Sequence, residues 1–296
     1  MIKSFFDNHG IDYEENAYLK NHNTYKINST CDYLVFPKDE NELIMILKEI
    51  KNNNLKYLVL GNGSNIILAK EHYDGIVIKL NKLNEVKYNN HIVTVGAGYL
   101  LIKLAVETIE KGLSGLEFAA GIPGCVGAST AMNAGAYNSD MASVVKEVRV
   151  LTPNYEIKTL NINDLAYEYR DSFLKKNPEY IVLSTTFELK DGDTETMRNL
   201  IAERRMKRIT SQPLDMPSAG SVFRNPEGMY AGELIEKLNL KGYTIGGAKV
   251  SEKHANFIVN NGNATGRDVV SLINKIEKEV KEKYNVDLKL EQIIIE

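Results

Sequence analysis

Two glycine-rich stretches are the first places in this chain where backbone alone can do chemistry. One is Gly61-Asn62-Gly63-Ser64-Asn65. The other, Gly121-Ile122-Pro123-Gly124-Cys125-Val126-Gly127, lies in the densest glycine region, where six of the 21 glycines fall between Gly112 and Gly135. A glycine lacks a Cβ, so its amide can approach an anion closely, and successive amides can line a concavity sized for phosphate. The first stretch lacks the third glycine of GxGxxG and runs into β-branched residues from Ile66 rather than a helix, which argues against a Rossmann site. No GxxxxGK[ST] run exists, which removes the ordinary P-loop. Taken alone, GNGSN also reads as a tight turn. GIPGCVG is expected to form an extended wall poor in side chains. Such a wall is either a surface for a flat aromatic cofactor or a buried backbone crossing, and the residues alone do not choose.

Three side chains merit weighing singly. Arg170 stands in Tyr167-Glu168-Tyr169-Arg170-Asp171-Ser172, Ser221 follows Ala219-Gly220, and Glu291 sits in a terminal apolar run. An arginine near a strand end is ordinarily a surface charge, and a serine after Ala-Gly is ordinarily a turn residue. Glu291 is odder, because a buried carboxylate must be paired or protonated. Spacing does not link the three. Cys31 and Cys125 could form at most one disulfide, and a reducing compartment would keep both as thiols. There is no CxxC. The histidines (His9, His22, His72, His91, His254) show no HExxH or HxH spacing, so no metal site is expected.

Elements that must position these residues are legible in patches. Tyr33 to Phe36 reads as a strand stopped by Pro37. Asp39, three residues before Glu42, starts a helix carrying Leu43, Ile46, Leu47 and Ile50, which Asn52-Asn53-Asn54 ends. Tyr57 to Leu60 is the next strand, completing a β-α-β unit. Gly75 to Leu80 and Ile92 to Val95 alternate as strands. A helix from about Leu100 to Lys111 aligns Leu101, Leu104, Ala105 and Ile109, with Gly112 as its C′ glycine. Strands return at Glu147 to Thr152 and Ile181 to Leu189. Glu195 to Ile209 is a basic, charged helix that looks like a connector, so a domain boundary belongs just before it. Gln212 to Pro226 is a polar loop. Thr265 and Asp268 cap a helix that stacks Val269, Leu272, Ile273, Ile276 and Val280, its Lys/Glu face solvated. A last strand, Leu288 to Ile295, sets Leu288, Leu290, Gln292 and Ile294 on one face and Glu291, Ile293 and Ile295 on the other.

The chain has 296 residues, 43% hydrophobic and 25% charged, as an ordinary globular protein does. Lys and Arg number 36 against 39 Asp and Glu, a net charge of −3, which is a poor footprint for nucleic acid. No run approaches the roughly 18 apolar residues of a membrane span, and the N-terminus has no signal-peptide core. A cytoplasmic protein is expected, with neither nucleic acid nor membrane as partner.

The motifs together resemble one family closely, that of UDP-N-acetylenolpyruvoylglucosamine reductase. The resemblance runs from Asn23-Thr24 to the last strand and rests on LGNGSN (60–65), GLSGLEFAAGIPGCVGA (112–128), MNAGAY (132–137), YRDS (169–172), PSAGSVFRNP (217–226), LKGYTIGGAKVSEKHANFIVNNGNAT (240–265) and VDLKLE (286–291). A short link after YRDS is similar to the type II branch. The resemblance implies an α+β fold. Residues 1–192 would form a FAD-binding region of the vanillyl-alcohol-oxidase (PCMH) type, in subdomains of about 1–72 and 73–192. Residues 193–285 would bind substrate, and 286–296 would return as a strand to the FAD-binding body.

It also implies roles. Gly61, Asn62, Gly63, Ser64 and Asn65, with Gly121, Ile122, Pro123, Gly124 and Gly127, would hold non-covalent FAD, the first loop mainly at its pyrophosphate. Arg170, Ser221 and Glu291 would be catalytic. Arg224, Asn225 and Tyr137 would bind substrate, Arg224 at the UDP diphosphate, where lysine is common in the family. NADPH would reduce the flavin, and UDP-N-acetylglucosamine enolpyruvate would accept the hydride. The product would be UDP-N-acetylmuramate for peptidoglycan, on which cell shape and division depend. The partners implied are these small molecules, and the chain is expected to act as a monomer.

Departures from the family pattern are Asn28-Ser29 where it often reads Gly-Gly, and Glu296 in place of a terminal glycine. His254 is expected to be a structural hydrogen-bonder, and Cys125 not to bond flavin. Two rivals stand beside this reading: a flavin oxidase on the same fold, which would need no Ser221 acid, and a degenerate sugar-nucleotide binder, which would lack one of the three catalytic candidates.

Overall fold

The computed structural model describes residues 2–296. They divide into two compact units. Unit 1 comprises residues up to Glu15, Tyr33–Gly61 and Gly75–Arg205, and unit 2 comprises Asn16–Asp32, Asn62–Asp74 and Met206–Glu296.

Unit 1 opens with helix α1 (Ile2–His9), which the sequence reading did not anticipate. It buries Phe6 against the rings of Tyr13 and Tyr33, at centroid separations of 5.1 and 5.6 Å. Helix α2 (Glu40–Asn52) begins as expected: the Asp39 carboxylate accepts from the Glu42 N–H at 2.8 Å. Such a cap contributes about 1 kcal/mol. Its apolar stripe of Leu43, Ile46, Leu47 and Ile50 is buried. Helix α3 (Leu101–Glu110) buries Leu101, Leu104, Ala105 and Ile109, and Gly112 takes φ +72° just past its end. Burying a leucine or isoleucine contributes roughly 1.5–3 kcal/mol, so this face alone commits the helix to the core.

These helices join a five-stranded antiparallel sheet ordered Ile157–Asn161, Val145–Leu151, Ile181–Glu188, Ile92–Gly96, Val86–Asn89. Its central strand, Ile181–Glu188, is buried at every position but the last. A second sheet is ordered Tyr13–Tyr18, Thr30–Val35, His72–Ile78, Tyr57–Val59. The β-α-β unit therefore exists, but its two strands do not pair. His72–Ile78 lies between them, and Tyr57–Val59 runs parallel to it.

Two short helices in unit 1 adjoin candidate site residues: α4 (Val126–Ala131) contains Gly127, and α5 (Phe173–Lys176) follows Arg170. Helix α6 (Thr194–Ser211), the expected connector, passes from unit 1 into unit 2 between Arg205 and Met206.

Unit 2 holds α7 (Ala231–Lys237), α8 (Gly266–Tyr284) and an antiparallel sheet of Thr244–Ile245, Ala248–Val250 and Ile258–Asn260. The expected cap of α8 is reciprocal. Thr265 Oγ1 accepts from the Asp268 N–H at 3.1 Å, and Asp268 Oδ2 accepts from the Thr265 N–H at 2.9 Å. Val269, Leu272, Ile273, Ile276 and Val280 are buried, while i,i+4 pairs Lys275–Glu279 and Lys278–Glu282 occupy the outer face. Gly266 lets the start of α8 meet strand Ile66–Leu68, since a Cβ there would stand 1.8 Å from the Leu68 carbonyl oxygen.

Two expectations need correction. The last strand is shorter than Leu288 to Ile295. Only Ile293–Ile295 is regular strand, parallel to Ile66–Leu68, and Leu290 forms a lone bridge to Phe223. The run changes partner at Glu291, whose N–H turns to Val222. GIPGCVG is not one extended wall either. Gly121 closes a 3-10 helix (Glu117–Gly121), only Ile122–Cys125 is non-helical, and Val126-Gly127 already begins α4. Gly127 is needed for packing, because a Cβ there would lie 2.7 Å from that of Ala97.

At Asn28-Ser29 neither residue has positive φ, so glycine is not required. Ser29 is buried and donates to the Lys70 carbonyl at 2.8 Å. Both cysteines are buried and in no disulfide. Among the described residues no helix is long and apolar enough to cross a membrane.

Candidate active site

In unit 1 the two glycine stretches meet. A Cβ on Gly61 would stand 2.8 Å from Cys125 Sγ and 3.0 Å from Ala128 Cβ, so only glycine fits against the start of α4. Amides of the second stretch are largely spent within the fold. Ile122 donates to Ala119, Gly124 to Ile122, Val126 to Tyr99 and Gly127 to Ala97, at 2.8–3.0 Å. GIPGCVG thus offers surface rather than N–H donors. Lys79 lies within electrostatic reach of Cys125, and burial pulls its ammonium below the usual lysine range.

The chain enters unit 2 at Asn62. Gly63, with φ +64°, presses against the segment that follows helix Lys20–His22, where a Cβ would meet the His22 carbonyl oxygen at 2.1 Å. Thr24 N–H donates to the Gly63 carbonyl at 3.1 Å. Asn65 turns the loop toward the last strand: its Nδ2 donates to the Glu291 carbonyl at 3.0 Å, and its own carbonyl accepts from the Ile293 N–H at 2.9 Å.

Arg170, in unit 1, occupies the second central position of a tight turn closed by mutual hydrogen bonds between Glu168 and Asp171 at 3.0 and 3.1 Å. Its φ is +56°, a conformation that favours glycine and costs an arginine about 1 kcal/mol. The turn is held from behind. Ser172 caps α5 by accepting from Lys175 N–H at 3.0 Å, and it donates to the Ala131 carbonyl at 2.6 Å. The guanidinium donates to the carbonyls of Gly135 and Asn133.

Gly135 belongs to a hairpin (Gly135–Ala136 with Ser139–Asp140) whose loop residues, Tyr137 and Asn138, have φ of +55° and +58°. That is the two-residue turn with positive φ at both positions. The Tyr137 hydroxyl donates to the Arg204 carbonyl at 3.0 Å, and the Arg204 guanidinium lies 4.5 Å from the Tyr137 ring centroid. Sequence reasoning missed Asn133, which is buried and knits this corner. Its amide donates to Asp140 and the Glu168 carbonyl, and its oxygen accepts from Ala142 N–H at 2.9 Å.

Ser221 and Glu291 come together in unit 2. Ser221 forms a bridge with Phe257, Phe223 forms one with Leu290, Glu291 N–H donates to the Val222 carbonyl at 2.8 Å, and Arg224 N–H donates to that of Lys289 at 2.8 Å. The segment bearing Ser221 is thus paired on both sides, and Glu291 adjoins it. Glu291 is half-buried, not sealed in.

A second residue missed from the sequence, Asn256, holds the same segment. Its Oδ1 accepts from Phe223 N–H at 3.0 Å, its Nδ2 donates to the Phe223 carbonyl at 2.8 Å, and its own carbonyl accepts from Val222 N–H. His254 hydrogen-bonds within the fold: its Nδ1 accepts from the Asn256 N–H at 3.2 Å, and its ring leans on Phe257. Burial, with Lys241 nearby, pushes its pKa down, which favours the neutral ring that accepts this hydrogen bond. Asn225 is exposed, and its side-chain oxygen accepts from Ala231 N–H at 3.1 Å, capping α7. A polar residue inside an apolar run was the available signal for buried amides such as Gln292.

Comparison with known proteins bears on this arrangement. Residues 212–295 match the family model described as UDP-N-acetylenolpyruvoylglucosamine reductase, C-terminal domain, and residues 31–161 match an FAD binding domain. A UDP-N-acetylenolpyruvoylglucosamine reductase from Bacillus pumilus is 43% identical over 282 residues, covering 95% of this chain and 93% of its own. One from Clostridium tetani is 39% identical over 296 residues, 100% of this chain and 96% of its own.

The chain belongs to the UDP-N-acetylenolpyruvoylglucosamine reductase family.

The crystal structure of such a reductase from Thermus caldophilus superimposes with a TM-score of 0.81 at 33% identity, covering 97% of this chain and 99% of that one. This reductase-family member is accordingly an oxidoreductase with an FAD-binding domain followed by the family's C-terminal domain, and FAD is its cofactor. The glycine positions fit such a cofactor. Gly61 and Gly124 are spots where a Cβ would strike a neighbouring side chain, at 2.8 Å from Cys125 Sγ and 2.6 Å from Ser129 Oγ, so both let the backbone pack closely beside the loop proposed for the cofactor.

Proposed function

We propose that the protein reduces UDP-N-acetylglucosamine enolpyruvate to UDP-N-acetylmuramate with NADPH, in the cytoplasmic synthesis of peptidoglycan precursors. Residues 1–192 serve FAD, 193–285 serve the sugar nucleotide, and 286–296 bring Glu291 back to the reaction. The adjacency of Ser221 and Glu291, through Glu291 N–H to the Val222 carbonyl, is the observation that carries this reading.

Bound FAD supplies a hydride acceptor for NADPH and then a hydride donor for the enolpyruvyl double bond. Gly61 to Asn65 would hold its pyrophosphate side, and Gly121, Ile122, Pro123, Gly124 and Gly127 would lie along it. Addition of hydride at C3 of the enolpyruvyl group throws negative charge onto C2 and its carboxylate. Arg170 answers that charge with a fixed guanidinium cation. Its positive-φ turn and the Gly135 carbonyl preset the guanidinium. Glu291 would assist only as the acid, by donating a hydrogen bond to the same carboxylate; as an anion it would oppose the step.

Ser221 delivers the proton to C2. Its hydroxyl is a weak acid, so neighbours must polarise it and water must restore its proton. Arg224 meets the UDP diphosphate, with Asn225 and Tyr137 on the substrate side. NADPH and the sugar nucleotide react in turn, which gives ping-pong kinetics.

Separate measurement of the two half-reactions tests this reading. With Ser221→Ala, NADPH should bleach the flavin at the wild-type rate, while reoxidation by the enolpyruvyl substrate falls by roughly 10²–10⁴-fold. Reoxidation at the wild-type rate would remove Ser221 from the chemistry.

A further inference from the structure

Gln292 follows Glu291 and is only 3% exposed. Its Nε2 donates to the carbonyls of Ala219 at 3.1 Å and Gly220 at 3.2 Å, the two residues before Ser221. Its Oε1 accepts from the Tyr25 hydroxyl at 3.0 Å, and Tyr25 is fully buried. The Tyr25 carbonyl accepts from Asn260 Nδ2 at 2.8 Å, and Asn260 N–H donates to the Pro217 carbonyl at 2.8 Å. A primary amide is costly to bury unless its donors and acceptor are matched, and this one is matched on both sides.

The loop it grips turns at a glycine. Gly220 has φ +77°, and a Cβ at that position would find nothing within 4 Å. Ala219 beside it is buried, so packing and carbonyl hydrogen bonds together locate the turn that leads into Ser221. On the far side of Ser221 the Val222 carbonyl is held by Glu291 N–H. Residues 291 and 292 therefore grip the chain immediately before and immediately after Ser221.

We propose that Gln292 is a positioning residue that sets the Ser221 hydroxyl against Glu291, so that proton donor and carboxyl act as one preformed unit. The inference rests on the proton-donor reading of Ser221. It goes beyond that reading in naming what fixes the donor's place. Catalytic groups lose rate steeply with small displacements, about 10²-fold for 1 Å, so a loosened 219–220 turn should show in the chemistry before it shows in binding.

The test uses the FAD-loaded enzyme and both half-reactions. Gln292→Met should leave flavin reduction by NADPH unchanged and slow reoxidation by the enolpyruvyl substrate about 10²-fold, in kcat rather than KM. Gln292→Glu should be slow near neutral pH and recover as pH falls, because only a protonated carboxyl can donate to the 219–220 carbonyls while accepting from Tyr25. Tyr25→Phe, should Gln292→Met fail to fold, should slow the same half-reaction several-fold. A Gln292→Met enzyme that melts earlier yet reoxidises at the wild-type rate would overturn the inference, as would a Gln292→Glu enzyme whose rate follows the wild-type pH profile. Ser221→Ala, run alongside, separates the two claims. If it reoxidises normally, the proton-donor reading has failed; if it collapses while Gln292→Met does not, the positioning role alone has failed.

Discussion

The side-chain amide of Asn65 donates to the backbone carbonyl of Glu291 at 3.0 Å. One residue ends the first glycine-rich loop, and the other is the carboxyl of the last segment, so the loop proposed for the cofactor and a catalytic candidate share a hydrogen bond within unit 2. The Asn65 carbonyl also takes the Ile293 N–H, which clamps Glu291 from both sides of its peptide. Glu291 is consequently placed by backbone, whatever its side chain does.

Arg170 should reveal strain held for function. Arg170→Gly and Arg170→Ala both lose the hydrogen bonds to Gly135 and Asn133, but only glycine accepts φ +56° freely. Arg170→Gly should therefore be about 1 kcal/mol more stable than Arg170→Ala, the reverse of the usual order. Chemical denaturation measures the difference. Both variants should keep flavin reduction by NADPH and lose substrate turnover by orders of magnitude. Equal stabilities would deny the strain, and normal turnover would deny the role.

Gly61 should tolerate no side chain. Gly61→Ala places a methyl 2.8 Å from Cys125 Sγ, and overpacking of this kind costs roughly 1–3 kcal/mol. Weaker FAD binding, followed by flavin fluorescence, should accompany the loss. Adding Cys125→Ala should restore part of it, leaving the 3.0 Å approach to Ala128. A Gly61→Ala protein that binds FAD like wild type would show that the wall yields.

How much of this was legible followed the range of the interactions. Helices α2, α3 and α8 could be read because Asp39, Gly112 and Thr265 signal their ends within a turn of the apolar stripe. Strand Ile66–Leu68 could not be paired, since its partner, Ile293–Ile295, lies at the other end of the chain. Helix α7 starts where Asn225, from a preceding loop, caps it. GIPGCVG misled because glycines required for contact with Ala97 and Ser129 have the same spelling as glycines required for exposed amides. Arg170, Ser221 and Glu291 had no spacing to link them. They rested on resemblance, and Gln292, the polar residue on an apolar face, was the local sign that this region holds a built network.

His254 should carry a pH dependence of stability. Burial holds its pKa below the ordinary 6.5, so the unfolded chain binds more protons in that interval. The stabilising contribution is complete above about pH 6.5 and is lost as pH falls through the lowered value. Urea midpoints at about pH 7.5 and 5.5 should fall further on acidification for wild type than for His254→Asn, whose amide oxygen can still accept from Asn256 N–H. Parallel losses would exclude His254 as their source.

The most direct test of the central claim is an anaerobic visible spectrum of the FAD-loaded protein, recorded before NADPH, after one equivalent of it, and again after UDP-N-acetylglucosamine enolpyruvate. The flavin bands should bleach with NADPH and return with the enolpyruvyl substrate. Bands that bleach and do not return would contradict the proposed acceptor.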